Sequence, residues 1–318
     1  MTEKTKVINK LSGFLLAAAL LAGCSSHPVK PLEPSVGSLS ARMYIAHGAS
    51  SGGEPLNSLE AVQATLPRDD YDGIELDIVL TGDSVPILAH DPWLSNETCR
   101  RYDGQGFEPV FIKDVYFSEL RALFECRFSS AENASSGYHP LASLSEVLNV
   151  VQHHPDKVLY LDLKIQHEMT LEAAEYGAEL FLALTEQNIS NSVFVEVPSA
   201  DHVAAVSAEM AELNIKTVVS YPAFYAGENW DVVGFLAAVR TLFISDDPVE
   251  TATKSNADAL MSPTVVMSYR AVRQLHDNNI LFGTFLVHDE ASMQAACDHG
   301  ADIIITDTPP EAGCDSPL

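Results

Sequence analysis

The sequence predicts an α/β fold, a closed (β/α)8 TIM barrel with a loop-rich insertion after its second strand. Three observations carry this. From residue 43 onward, short β-rich runs alternate with longer amphipathic ones, the rhythm of βαβ units on a parallel sheet. Eight such runs fall within residues 43–318, close to the ~250 residues usual for this barrel. No glycine-rich phosphate loop follows the first run, which counts against the alternative of a doubly wound open sheet.

The eight runs are MYIAH (43–47), DGIELDIVLT (72–81), KVLYLDLKI (157–165), VFVEV (193–197), KTVVSYP (216–222), ALMSP (259–263), LFGTFLV (281–287) and ADIIIT (301–306). Between them lie helical patterns such as SLEAVQATL, SLSEVLNVVQ, LEAAEYGAELFLALTEQN, ADHVAAVSAEMAELN, YRAVRQLHDNN and EASMQAACDHG. TLFISDD (241–247) is a ninth apolar run, so the segment 223–258 offers more strand than a barrel needs. Residues 92–140 break the rhythm, holding nine of the 25 aromatic residues together with Cys99 and Cys126. That stretch reads as a small satellite core, and its departure just after His90 also suits a roof over an active site.

Side chains alternate faces along a strand, so Glu75 and Asp77 share one face while Ile74, Leu76 and Ile78 share the other. The same parity puts Tyr160, Asp162 and Lys164 on one face and Leu159, Leu161 and Leu163 on the opposite one. A barrel strand turns its aliphatic side to the helices, which leaves the polar set facing the axis near the C-terminal ends, where active sites sit. Three carboxylates meeting in a dry site need a cation or a proton. An all-oxygen ligand set of Glu75, Asp77 and Asp162 selects a hard divalent metal ion, Mg²⁺ or Ca²⁺. The plainer alternative pairs Asp162 with Lys164 and the other two with arginines, although the chain holds only 18 Lys and Arg in all.

His47 closes the first run and His90 closes VPILAH. Singly, each is more often a structural hydrogen bonder. Beside an acidic cluster, an imidazole pair supplies the acid and base that phosphodiester cleavage needs near neutral pH. Glu196, near the end of the fourth run, and Trp93, at the start of the insertion, are candidate substrate contacts. His288 and Asp289 repeat the His-Asp dipeptide, but Asp289 opens a helical pattern and reads as its N-cap, so that pair is set aside.

Residues 1–23 combine Lys4, Lys6 and Lys10 with the apolar GFLLAAALLAG (13–23), a secretory signal too short for a membrane span. The remainder, lacking three lysines and one glutamate, carries −28 against −26 for the whole chain. Such a balance disfavours nucleic acid as a partner, because a phosphate backbone demands a basic stripe. It still permits chemistry on a phosphodiester where a bound cation inverts the local field. Leu21, Ala22, Gly23 and Cys24 resemble the lipobox of bacterial lipoproteins, which implies cleavage before Cys24 and diacylation of its sulfur. Two acyl chains hold a protein stably on a bilayer. The rival is an ordinary cleaved signal with a chance cysteine. Ser25 would by that resemblance direct a Gram-negative lipoprotein to the outer membrane, giving a lipid-anchored envelope protein. Residues 24–42, rich in Pro and Ser, read as a tether. In an oxidising compartment the remaining four cysteines allow three pairings, of which the sequence-local one is expected: Cys99 with Cys126, and Cys297 with Cys314.

Five stretches in register resemble the glycerophosphodiester phosphodiesterase family of phospholipase C-like barrels, over residues 43–311. IAHGAS is similar to the family's His-Arg-Gly start and PLNSLEA (55–61) to its Pro-Glu-Asn-Thr turn. IELDIVLTGDSVPILAHD (74–91) is similar to its Glu-x-Asp strand and His-Asp motif, YLDLK to its third-strand acid with Lys, and ADIIITDTPPE to its closing Thr-Asp-x-Pro. The resemblance implies metal ligation by Glu75, Asp77 and Asp162, acid–base roles for His47 and His90, and stabilisation of phosphoryl charge by Lys164. Its substrates would be small glycerophosphodiesters or lysolipids. Three departures stand out: Gly48 directly follows His47 where the family has Arg, Leu56 replaces the turn Glu, and Asp162 replaces a Glu. An Asp before x-Lys is also similar to the related sphingomyelinase D branch. The rivals are therefore a phospholipase D- or C-like enzyme on intact lipids, and a barrel lipoprotein kept as a binding module.

Overall fold

The computed structural model describes residues 42–127, 137–166, 170–223, 247–308 and 314. The lipobox with Cys24 and the apolar residues 241–246 lie outside the described residues. No described helix is long and apolar enough to cross a membrane.

Eight parallel strands close on themselves: β1 (Met43–Ala46), β2 (Gly73–Leu80), β9 (Val158–Leu163), β10 (Val193–Val197), β11 (Ile215–Ser220), β12 (Ala259–Met261), β13 (Leu281–Val287) and β14 (Ile303–Thr306). Each pairs with the next, and β1 pairs with both β14 and β2, which completes the ring. These are the eight runs of the sequence. The ninth sheet member, β3 (Pro86–Leu88), is antiparallel to β2 and lies outside the ring.

The helices α1 (Leu59–Thr65), α3 (Leu144–Val151), α4 (Thr170–Glu186), α5 (Ala200–Glu209), α6 (Pro248–Ser255), α7 (Tyr269–Asp277) and α8 (Glu290–Asp298) connect the strands. Several starts are written in the sequence. Ser58, Ser143, Ser268 and Asp289 accept backbone N–H bonds at the first turns of α1, α3, α7 and α8, each satisfying a donor the helix cannot.

Strand parity divides the interior into two cores. Ile74, Leu76, Ile78, Leu159, Leu161 and Leu163 face outward and join the helices in the larger cluster. Ile45, Tyr160, Phe194, Val218, Met261 and Ile303 fill the barrel axis. Gly73 begins β2 against β9, where a Cβ would come within 2.2 Å of the Val158 carbonyl oxygen. Only glycine lets the two strands approach there.

The segment after His90 builds a third core. Strands β4 (Trp93–Leu94) and β6 (Val110–Phe111) pair with each other, and β5 (Cys99–Arg101), β7 (Phe124–Cys126) and β8 (His139–Pro140) form a second small sheet beside α2 (Phe117–Leu123). Leu94, Cys99, Ile112, Leu120, Phe124 and Cys126 pack there against Val79, Ile87 and Ala89 of the barrel's edge. Disulfides join Cys99 to Cys126 and Cys297 to Cys314, as the sequence-local pairing expects.

Candidate active site

Register brings the acids together. Asp77 on β2 lies opposite Asp162 on β9, and Asp162 lies opposite Glu196 on β10. Glu75, one inward step below Asp77, lies level with Tyr160. One carboxylate oxygen each from Glu75, Asp77 and Asp162 falls within 4.8 Å of the other two, with Glu75 and Asp77 buried. Oxygen-only donors at that spacing suit a hard divalent cation, so these three residues fit the metal the sequence expects.

Lys164 is the cation the structure itself supplies. Its Nζ donates to Asp77 Oδ1 at 2.8 Å and to Asp162 Oδ2 at 2.6 Å. The pairing of Asp162 with Lys164 and the convergence of three acids are therefore both present. Burial opposes the charge on Asp77, but Lys164, with His90 and His47, outweighs it and holds Asp77 below the usual carboxylate range. One ammonium does not neutralise three acids, and Glu75 shows the residue of that imbalance. Burial, then the charge of Asp77, pushes it up to about 8.

Two positions without a role in the sequence analysis hold this cluster. Asn57 Nδ2 donates to Asp77 Oδ2 at 2.7 Å while Asn57 Oδ1 accepts from the Asp77 amide at 3.0 Å. It sits at φ 54°, a left-handed conformation asparagine tolerates better than most. Gly48, at φ 52°, donates its N–H to Glu75 Oε2 at 2.7 Å, and a Cβ there would meet Leu56 Cβ at 2.8 Å. The residue in the place of the family's Arg thus serves Glu75 through its backbone, against the Leu56 that stands for the turn Glu. The Asn in PLNSLEA was the available signal for the first; nothing in the sequence pointed to the second.

His47 Nδ1 lies 2.6 Å from Asp307 Oδ1. A carboxylate only accepts, so Nδ1 carries the proton and Nε2 is left to act. Burial lowers the affinity of His47 for its second proton, but the Asp307 hydrogen bond and the charges of Glu75, Asp307 and Asp77 override this and raise it to about 9. His90 arrives by another route. The antiparallel turn of β3, with Ala89 N–H on the Asp77 carbonyl at 3.1 Å, returns the chain beside Asp77. There His90 stays half-exposed, 3.1 Å from Asp91.

The remaining candidates divide. Glu196 is buried, accepting from Tyr160 Oη at 2.6 Å and Ser220 Oγ at 2.5 Å; burial and then Asp162 push it up to about 8. It completes the acidic layer but its oxygens are already used. Trp93 packs edge-on against Phe111, with centroids 6.4 Å apart, its partner across the β4–β6 pairing. Asp289 is the N-cap of α8, as its sequence context expects, and the neighbouring His288 Nδ1 bonds the second oxygen of Asp307.

A closed eight-stranded parallel barrel with three clustered carboxylates and two histidines beside them defines the class: a (β/α)8 barrel with a candidate metal-binding acidic group inside it. The model of the glycerophosphoryl diester phosphodiesterase family matches residues 47–311, and the chain belongs to that family. It is 32% identical over 123 residues to a glycerophosphodiester phosphodiesterase of Haemophilus influenzae, covering 36% of this chain and 33% of that one. It is 35% identical over 79 residues to human glycerophosphodiester phosphodiesterase 1, covering 25% and 21%. The chain thus spans a third or less of these curated relatives. Among solved structures, an Oleispira antarctica phosphodiesterase in complex with the product sn-glycerol-3-phosphate superposes with a TM-score of 0.61 at 17% identity, covering 85% of this chain and 94% of that one. A Silicibacter pomeroyi chain provisionally named a glycerophosphoryl diester phosphodiesterase reaches 0.70 at 18% identity, covering 88% and 92%. At those identities the likeness is one of fold.

Proposed function

We propose that this protein is a divalent-metal-dependent phosphodiesterase that hydrolyses glycerophosphodiesters to an alcohol and glycerol phosphate. The observation that carries the reading is the convergence of Glu75, Asp77 and Asp162 from β2 and β9, flanked by His47 and His90. The family match and the glycerol phosphate held by the Oleispira enzyme favour this substrate class over intact phospholipids.

Glu75, Asp77 and Asp162 would hold Mg²⁺ or Ca²⁺, which would supply Lewis-acid stabilisation of phosphoryl charge. Lys164, already turned toward that cluster, adds a positive charge to the same region. One of His47 and His90 removes a proton from the attacking hydroxyl, either water or the hydroxyl vicinal to the phosphate. The other protonates the departing alcohol as the P–O bond breaks. Asp307 fixes His47 with Nε2 as its working atom. The satellite core of β4–β8, rooted on β3 next to His90, shapes which headgroup enters. At the N-terminus, cleavage before Cys24 and its acylation would place the enzyme on the bacterial cell envelope, facing substrates released from membranes.

The test is a panel of glycerophosphocholine, glycerophosphoethanolamine, lysophosphatidylcholine and sphingomyelin, assayed with Mg²⁺, Ca²⁺ or chelator. Release of alcohol from a glycerophosphodiester only with metal, and loss of ~10²–10⁴-fold in His90→Ala, is the expected result. Full activity in chelator, or an unimpaired His90→Ala, ends this reading. Preference for the lipid arms moves the assignment to the intact-lipid enzymes. Cys24→Ser should shift the protein from the membrane fraction to the soluble one if the anchor is real.

A further inference from the structure

Asp307 is the meeting point of three elements. Its backbone N–H donates to the Val287 carbonyl at 3.2 Å, and the neighbouring Thr306 Oγ1 donates to the same carbonyl at 2.9 Å, so the ends of β13 and β14 are tied together. One carboxylate oxygen accepts from His47 Nδ1 and the other from His288 Nδ1. His288 is held in turn: its backbone N–H donates to Ser292 Oγ at 3.1 Å, inside the capping box of α8. Its side chain is 52% exposed, and among the described residues its Nε2 has no partner.

The terminal torsion of an aspartate is broad and nearly two-fold. A single hydrogen bond to His47 therefore leaves the carboxylate plane free to swing. A second bond from an element anchored elsewhere removes that freedom. We propose that His288 is a positioning residue for His47, acting through Asp307: by engaging the second oxygen it keeps the first on His47 Nδ1 and so keeps His47 Nε2 aimed at the reacting groups. The order of support runs from the α8 cap to His288, to Asp307, to His47.

The kinetic arm of the test rests on the diesterase reading above; a spectroscopic arm does not. Full-length wild type, His288→Ala, His288→Asn, Asp307→Ala and the double Ala variant are compared with saturating metal on the best glycerophosphodiester of the panel. His288→Ala should lower kcat about 10-fold with KM unchanged, since a misplaced group costs rate rather than binding. His288→Asn, whose amide N–H can replace Nδ1–H, should recover to within about 3-fold. Asp307→Ala should lose more, and adding His288→Ala to it should cost nothing further, the signature of residues acting in one chain. In ¹⁵N spectra of the imidazoles at about pH 10, above the titration of His47, His47 should hold its proton on Nδ1 in wild type and populate the other tautomer in His288→Ala. A raised KM with intact kcat would make His288 a direct substrate contact and overturn the proposal. Multiplicative losses in the double variant, or an unchanged His47 spectrum, would also overturn it. If no chain, wild type included, cleaves any diester, the diesterase reading falls and the spectra alone decide the role of His288.

Discussion

Asp77 and Asp162 face each other across the β2–β9 pairing, and the ammonium of Lys164 touches both, at 2.8 and 2.6 Å. The site is thus built around a protein cation that is too little charge for its three acids. Lys164→Ala should expose the consequence. Removing one partner of a buried ion pair costs ~3–5 kcal/mol, so in chelator the variant should unfold at markedly lower denaturant than wild type. Saturating divalent ion should return ~2.7 kcal/mol or more at a hundredfold excess over its Kd. A variant as stable as wild type in chelator would show that the pair contributes nothing to the fold.

Asn57 bonds both the amide and the carboxylate of Asp77, and so should matter to metal binding without touching metal. Asn57→Ala leaves buried groups unmatched, costing ~1–3 kcal/mol, and should weaken divalent binding ~10–100-fold, the range for groups that orient a ligand. Asn57→Gly, which accepts the positive φ more easily, should fold better yet bind metal as poorly. Calorimetric titration separates the two effects; wild-type affinity in both variants refutes the role.

The His47–Asp307 pair sets a pH window for stability. His47 is raised from 6.5 to about 9, so its contribution is complete below pH 6.5 and fades as pH rises through 9. Asp307 is lowered: burial works against its charge, but the His47 and His288 bonds prevail. Its contribution is therefore present above its ordinary value of 3.8 and lost as pH falls through the depressed one. Asp307→Asn, melted in chelator, should be less stable than wild type by ~1–3 kcal/mol between about pH 4 and 6.5, with the gap narrowing as pH rises through about 9. A gap that widens above about pH 7 contradicts the assignment.

The Cys99–Cys126 bond spans 27 residues and lies wholly within the satellite core. Replacing both cysteines by serine should cost ~3–4 kcal/mol by loop-closure arithmetic, confined to 92–140. Limited proteolysis should then cut that segment first, while divalent binding at the barrel stays within a few-fold of wild type. Joint loss of both would mean that the satellite core supports the barrel.

The eight strands, the Asp289 cap and the two-sided strands were all legible because they are local. A period of two along β2 and β9 fixes which residues face the axis, and Asp289 caps a helix within its own turn. That locality is also why Glu75, Asp77 and Asp162 could be read as one cluster: parity and position at the strand ends already put them on the same side. The contact of His288 was not legible, for the complementary reason. Its dipeptide partner Asp289 is a cap, and its actual partner Asp307 lies 19 residues on, across a strand pair.

By itself, then, the sequence determined a barrel with an acidic, histidine-flanked interior, since alternation and capping act over a few residues. Only the tertiary structure decided the register that sets Asp77 against Asp162 and the return of β3 that brings His90 to them. It alone joined β1 to β14, carrying His47 to Asp307 across 260 residues of chain. Such contacts depend on how the ring of strands closes, and no short-range pattern encodes that closure.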